Sequence, residues 1–283
     1  MSWGTWPLFL KQVEKRGPVH ASVEGAMLMA VIAIGTLPLA IAAQHTRRSE
    51  GAAARKRGDW LAMAWLGIGD AGNVLLFFAA YQKTSVAVAI LTHYLTPVIV
   101  ALLAPLVLTE RAAKATFISV LFSFCVLALL LEPWNGPGRP DDRMGALLGA
   151  GSAVFYASNV LVQKRMGRVF TAGELMFYHS LVSCPLLLAT VPVGAFSALD
   201  ASSFGWLVAG CIGPGVIGGV LFVVGLARVP ASHASTLTLL EPLVAVLVAT
   251  LVFGERKGVI SLVGGLFILA GAALVVYRGR EAA

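Results

Sequence analysis

Charge is what this sequence has least of. Asp, Glu, Lys and Arg make up only 12% of its 283 residues, while 58% are hydrophobic and mean hydropathy is +0.84. A soluble domain carries about 25% charged residues, so a body folded in water could not cover this much apolar surface. Cysteine is scarce as well. Cys125, Cys184 and Cys211 all fall inside apolar runs, where they read as small buried packing residues and say little about redox compartment. H-E-x-x-H, G-x-S-x-G and Walker A patterns are missing, as is any His/Asp/Glu cluster at metal-ligand spacing. An integral membrane enzyme acting on a lipid or small apolar substrate is the alternative class for such a chain, and it needs a constellation of that kind. No enzyme activity, cofactor or metal is therefore expected. No basic leader precedes Met1–Leu10, so no signal peptide is expected either. The net charge of +7 does not call for nucleic acid, because the charges punctuate apolar runs instead of covering one soluble face.

What is present is long apolar sequence. A helix needs roughly 20 apolar residues to cross a bilayer. Nine runs qualify: Gly25–Gln44, Trp60–Gln82, Ser85–Leu108, Ala115–Leu131, Met144–Gln163, Leu175–Val193, Phe204–Ala227, Ala231–Phe253 and Gly258–Tyr277. A shorter tenth is Met1–Leu10. The runs are continuous, whereas barrel strands would alternate polar and apolar residues. The expected fold is an all-α membrane protein, a polytopic bundle of ten spans.

One stretch occurs twice. Phe77, Ala89, Pro97, Leu102, Glu110 and Arg111 reappear at a constant offset of 145 residues as Phe222, Ala234, Pro242, Leu247, Glu255 and Arg256. Two five-span repeats follow, 1–132 and 144–278, with a Pro/Gly-rich linker at 133–143 and a tail at 279–283. An odd number of spans per repeat inserts the copies with opposite orientation, a recurring design of carriers that alternate access to a midplane site. Threading ten spans from a cytoplasmic N-terminus leaves most of the 21 Lys and Arg inside, led by the Arg47–Arg57 cluster. Both termini are thus expected in the cytoplasm of a cell-membrane protein, with the linker outside. The basic loop 44–59 reads as mobile.

The residues Trp3-Gly4 with Lys11, Pro97 with Glu110-Arg111, Tyr156-Ala157 with Lys164, and Glu241-Pro242 with Gly254-Glu255-Arg256 resemble one known family. The chain is similar to ten-span members of the drug/metabolite transporter superfamily, of the EamA-domain type, over nearly its whole length. The resemblance implies a secondary carrier of a small organic solute, often an exporter of amino acids, related metabolites or toxic compounds. It also implies a cavity lined by spans one, three, four, six, eight and nine. Two departures stand out. Glu24 sits where relatives often carry Arg, and the first span lacks about ten residues against the ~20 that crossing requires, so the true start is expected upstream or the chain is a fragment. Solute, lipid bilayer and no nucleic acid are the expected partners, with monomer and homodimer both open.

Asp70 and Glu241 are the acidic residues deep inside spans, and an intramembrane carboxyl is a functional candidate by default. Both are expected to bind the solute and to couple proton exchange. Asn73 lies one turn from Asp70, and Thr238 one turn from Glu241. Ser152, Tyr156, Asn159 and Gln163 share a face of span six, and Thr92, His93, Tyr94 and Thr96 cluster before Pro97. Substrate-binding candidates are therefore Asp70, Asn73, His93, Thr96, Tyr156, Asn159, Thr238 and Glu241. His93 is open either to proton transfer or to a hydrogen-bonded structural place. Gly67–Gly72 and Gly213–Gly218 both match G-x-G-x-x-G, but each lies inside an apolar span without a βαβ unit. They are expected to pack helices closely, with local unwinding beside the solute as a further expectation.

Overall fold

The apolar runs become helices because a chain in hydrocarbon must satisfy its own backbone groups. The computed structural model describes residues 2–17, 19–51, 53–108, 114–131, 134, 140–253 and 263–267. A 3-10 turn at Ser2–Thr5 leads into α1 (Trp6–Glu14), α2 (Ala21–Ser49) and α3 (Arg57–Lys83). Next come α4 (Val86–His93), α5 (Thr96–Val107), α6 (Lys114–Leu131), α7 (Asp142–Met166) and α8 (Ala172–Leu188). The last described helices are α9 (Ala201–Gly210), a π-helical turn Cys211–Ile217, α10 (Gly218–Arg228), α11 (Ala231–Leu237) and α12 (Leu240–Phe253). No strand occurs among the described residues.

The helices begin where the sequence supplies caps. Ser85 accepts from the Val88 N–H at the start of α4, and Asp200 accepts from the Ser203 N–H at the start of α9. Thr171 and Glu174 form a reciprocal capping box on α8. At the centre, α3 packs against α7 and α8, and α2 lies along α8. Large side chains such as Ile34, Leu106, Leu147 and Leu251 point outward, while Ser152, Asn159, Glu174, His179 and Ser183 are buried. The exterior is thus as apolar as the core, which suits hydrocarbon surroundings, and a smaller set of polar groups is enclosed between the helices.

Six helical stretches among the described residues are long and apolar enough to cross a bilayer: Ala21–Ser49, Arg57–Ala80, Val86–Val107, Asp142–Met166, Ala201–Arg228 and Ala231–Val252. Val120–Leu129 and Ala172–Leu188 are shorter apolar helices. At the start, α1 has 9 residues, short of a span. Glu110-Arg111, Glu255-Arg256, most of the linker and most of Gly258–Tyr277 lie outside the described residues.

Several expectations change. Spans four and nine are not single α-helices, since Tyr94-Leu95 and Thr238-Leu239 interrupt them. In span eight the π turn Cys211–Ile217 departs from α-helix at Gly213–Gly218, where local unwinding is an expectation of the sequence. Gly67–Gly72 does not unwind, since α3 runs through it unbroken. Its glycines instead permit close approach: a Cβ on Gly67 would lie 2.7 Å from the His179 carbonyl, and one on Gly69 would run into Asn159. Loop 44–59 shrinks to Glu50–Lys56 because α2 and α3 extend into it, and Arg55 within it is buried. Cys125 is exposed on the apolar exterior, where a thiol suits a hydrocarbon surroundings, and only Cys211 is fully buried.

Candidate functional site

Proline sets the first element of the site. Pro97 has no N–H to give the carbonyl of His93 one turn earlier, so the helix breaks at Tyr94-Leu95. The Thr96 hydroxyl takes over, donating to the His93 carbonyl at 2.8 Å and to the Ala153 carbonyl of α7 at 3.3 Å. Thr96, an expected solute ligand, thus has its hydroxyl spent on backbone. The break turns His93 and Tyr94 inward. His93 stacks on Tyr156 of α7, with ring centroids 5.4 Å apart and planes at 13°.

His93 is held by a serine of α7. The Ser152 hydroxyl lies 2.7 Å from the Gly149 carbonyl and 2.9 Å from Nδ1 of His93. His93 is a positioned ring against Tyr156, with no carboxylate bonded to it.

Each intramembrane carboxyl finds a different partner. On α12, Glu241 accepts from the Tyr94 hydroxyl at 3.1 Å. On α3, Asp70 lies 3.0 Å from Nε2 of His179, and its side chain remains 18% accessible. Glu241 on α12 is thus joined through Tyr94 to the stack of His93 on Tyr156 of α7, and Asp70 on α3 pairs with His179 of α8.

The remaining candidates are Asn159, Asn73 and Thr238. Asn159 donates to the Leu66 carbonyl of α3 at 3.3 Å, and its Oδ1 is buried without a hydrogen bond. Asn73 Oδ1, one turn from Asp70, is also a buried acceptor without a donor. Thr238 donates to the Ser235 carbonyl at 2.7 Å, and its own carbonyl accepts from the Glu241 N–H at 2.9 Å. Like Thr96, Thr238 shapes a helix break.

No signal in the sequence joins His179 to Asp70. No spacing rule links residues on two helices, and the signal available was only that a buried carboxyl seeks a basic partner. Arg55 was missed for the opposite reason, because it sits in a run of surface charges. Its guanidinium bonds Glu174 at 2.7 Å and lies 3.9 Å from the Phe170 ring centroid. This buried pair closes one end of the bundle beneath Asp70. Three groups of His, Cys, Asp or Glu able to hold a metal do not come together anywhere among the described residues.

The EamA-like transporter family matches the chain twice, over residues 1–132 and 143–277. An uncharacterized transporter of Archaeoglobus fulgidus is 31% identical over 207 residues, 73% of this chain and 72% of that protein. Transporter YxxF of Bacillus subtilis is 27% identical over 73% of this chain and 66% of its own length. Protein PecM of Dickeya dadantii is 29% identical over 71% of this chain and 68% of its own. A solved structure described only as a protein superimposes with a TM-score of 0.78 at 18% identity, covering 99% of this chain and 94% of that one. These matches, the membrane-length apolar helices and the apolar exterior of the bundle define a multi-pass membrane protein of the transporter class. The chain belongs to the EamA-like transporter family.

Proposed function

We propose that this protein is a secondary transporter that moves a small amine-bearing or zwitterionic solute, such as an amino acid or related metabolite, outward across the cell membrane. Two inverted five-helix halves within a ten-span bundle alternate access to the midplane site. The observation that carries the reading is the pair of intramembrane carboxyls, Asp70 bonded to His179 and Glu241 bonded to Tyr94 beside the His93–Tyr156 stack. Buried acceptors without donors, Asn73 Oδ1 on the helix of Asp70 and Asn159 Oδ1 on the helix of Tyr156, support the same reading. Such groups favour a ligand rich in N–H donors and positive charge. The aromatic rings of Tyr156 and His93 offer a face for the solute's apolar part.

The inverted-repeat reading is supported by the two helix breaks. Tyr94-Leu95 and Thr238-Leu239 stand at near-equivalent places in the two copies, and each break falls shortly before its proline, Pro97 or Pro242. Irregular backbone at membrane depth is tolerated where it lines a cavity, and carriers place substrates at such interruptions.

The test is efflux from sealed vesicles holding the reconstituted protein and a mixture of the proteinogenic amino acids and linear polyamines, followed by mass spectrometry. One or a few amine-bearing solutes should leave with wild-type protein and stay with Asp70→Asn or Glu241→Gln. Efflux at wild-type rates in both variants would remove the carboxylates from the mechanism, and no selective efflux at all would contradict the carrier reading.

A further inference from the structure

The contact between Asp70 and His179 has a proton count that the structure determines. Nδ1 of His179 lies 2.7 Å from the Leu175 carbonyl. A carbonyl only accepts, so Nδ1 carries hydrogen. In a neutral imidazole the other nitrogen, Nε2, is then a bare acceptor. That nitrogen faces an Asp70 oxygen at 3.0 Å, and an ionised carboxylate is acceptor-only as well. Two acceptors do not share a hydrogen-bond distance without a proton between them. The pair as built therefore holds one proton more than neutral His plus ionised Asp, whether it resides on Nε2 or on the carboxyl.

We infer that Asp70 and His179 together form a single exchangeable-proton site in the wall of the transport cavity, with His179 as its unassigned half. The inference rests on the carrier reading for its role and on the hydrogen-bond geometry for its existence. The two members differ in access. His179 is 5% exposed and anchored through Leu175, whereas Asp70 keeps 18% of its side chain open. Loss of the proton leaves a net negative charge and two lone pairs opposed. Asp70 is then free to accept from a cationic amine, and return of the proton expels that amine. Proton and solute compete for one carboxylate, which is the minimum device for exchange.

The surroundings contain no second charge bonded to the pair among the described residues. From α7 the titratable group is Tyr156, within electrostatic reach of Asp70. From α4 it is His93, whose Nδ1 is committed to Ser152. On α8 itself, Glu174 is tied to Arg55, and Cys184 lies toward the Ala26 carbonyl of α2. From α2, Glu24 faces Glu14 and Cys211, and α10 presents Gly219 against Met176. Glu241 lies beyond Tyr156, bonded to Tyr94.

The test needs no solute. Purified full-length protein labelled with nitrogen-15 in histidine and carbon-13 in the Asp carboxyl is titrated and followed by NMR. Wild type should show His179 with Nδ1 always protonated, and Nε2 losing its proton in one step at the same midpoint at which the Asp70 carboxyl signal moves. Asp70→Asn, which keeps the shape, should abolish that shared step and leave Nε2 bare at neutral pH. The inference falls if His179 is protonated on Nε2 alone, if the two midpoints differ, or if Asp70→Asn leaves the His179 signals unchanged. A positive titration beside a negative efflux screen would retain the proton site and reject the carrier role.

Discussion

Gly67 decides how near α3 can come to α8, and therefore how Asp70 meets His179. A methyl group at Gly67 would press on Val182 and on the His179 backbone, whereas one at Gly58 on the same helix would meet nothing within 4 Å. Overpacking of this kind costs about 1–3 kcal/mol, while Gly to Ala at an open helical position gains roughly 0.5–1 kcal/mol. Gly67→Ala should therefore lower the melting temperature and Gly58→Ala should hold or raise it, as read by fluorescence thermal unfolding in detergent. Equal melting temperatures would contradict the close approach. At this scale the sequence was partly legible. Intramembrane acids announce themselves by their cost, so Asp70 and Glu241 could be singled out, as could the polar face carrying Tyr156 and Asn159. Their partners Tyr94 and His179 could not be assigned, because pairing across helices depends on rotation and depth that no spacing encodes. Thr96 and Thr238 look like solute ligands in sequence, yet both hydroxyls serve the backbone beside a proline.

Elements are held in register by contacts at their ends. Arg55 stacks on Phe170, bonds Glu174 and reaches the Val169 carbonyl, so the α2–α3 turn is pinned to the start of α8. The pair is almost fully buried, with side chains 7% and 0% exposed. Removing one partner of such a pair costs about 3–5 kcal/mol. Glu174→Gln should lower the melting temperature markedly, and Arg55→Lys should not restore it, because lysine lacks the planar fork that stacks and bonds together. A wild-type melting temperature for Arg55→Lys would contradict this account.

At the opposite end, the Ser203 backbone N–H, then its side chain, and the nearby Arg16 hold the exposed Asp200 carboxyl below its usual range. A lowered folded pKa gives stability that is present above the ordinary carboxylate value and is lost as pH falls through the folded one. Amide exchange in the first turn of α9 should thus be protected above roughly pH 4 and lose protection below it. Asp200→Asn keeps a cap but no charge, and should flatten that acid dependence. Helix breaks were the least legible feature. Pro97 and Pro242 mark their places, but whether a proline kinks a helix, opens it or yields a π turn as at Pro214 depends on what packs against the freed carbonyls.

For the whole molecule, composition was enough to set the solvent and the internal repeat was enough to suggest the architecture. Polarity also organises the two ends. The Arg55 contact to Val169 and the Lys164 contact to Val229 gather the turns after α2, α7 and α10 at one end. The Arg16–Asp200 and Lys83–Asp141 contacts gather the turns after α1, α3 and α8 and the start of α7 at the other. The first end carries Arg47, Arg48, Lys56, Arg57, Arg165 and Arg168, and positive charge is retained on the cytoplasmic side. In a background free of Cys125, Cys184 and Cys211, Ser197→Cys should react with an impermeant maleimide on intact cells and Ser49→Cys should not. The reverse pattern would invert the orientation.

The central claim is that one interior site opens alternately to the two sides. Asn73, a turn from Asp70, reports on it without knowledge of the solute. In the same cysteine-free background, Asn73→Cys should react with a charged, impermeant methanethiosulfonate added to either face of sealed, uniformly oriented vesicles, while the vesicles remain tight to the reagent. Reaction from one face only, or leakage of the reagent through the protein, would contradict alternating access.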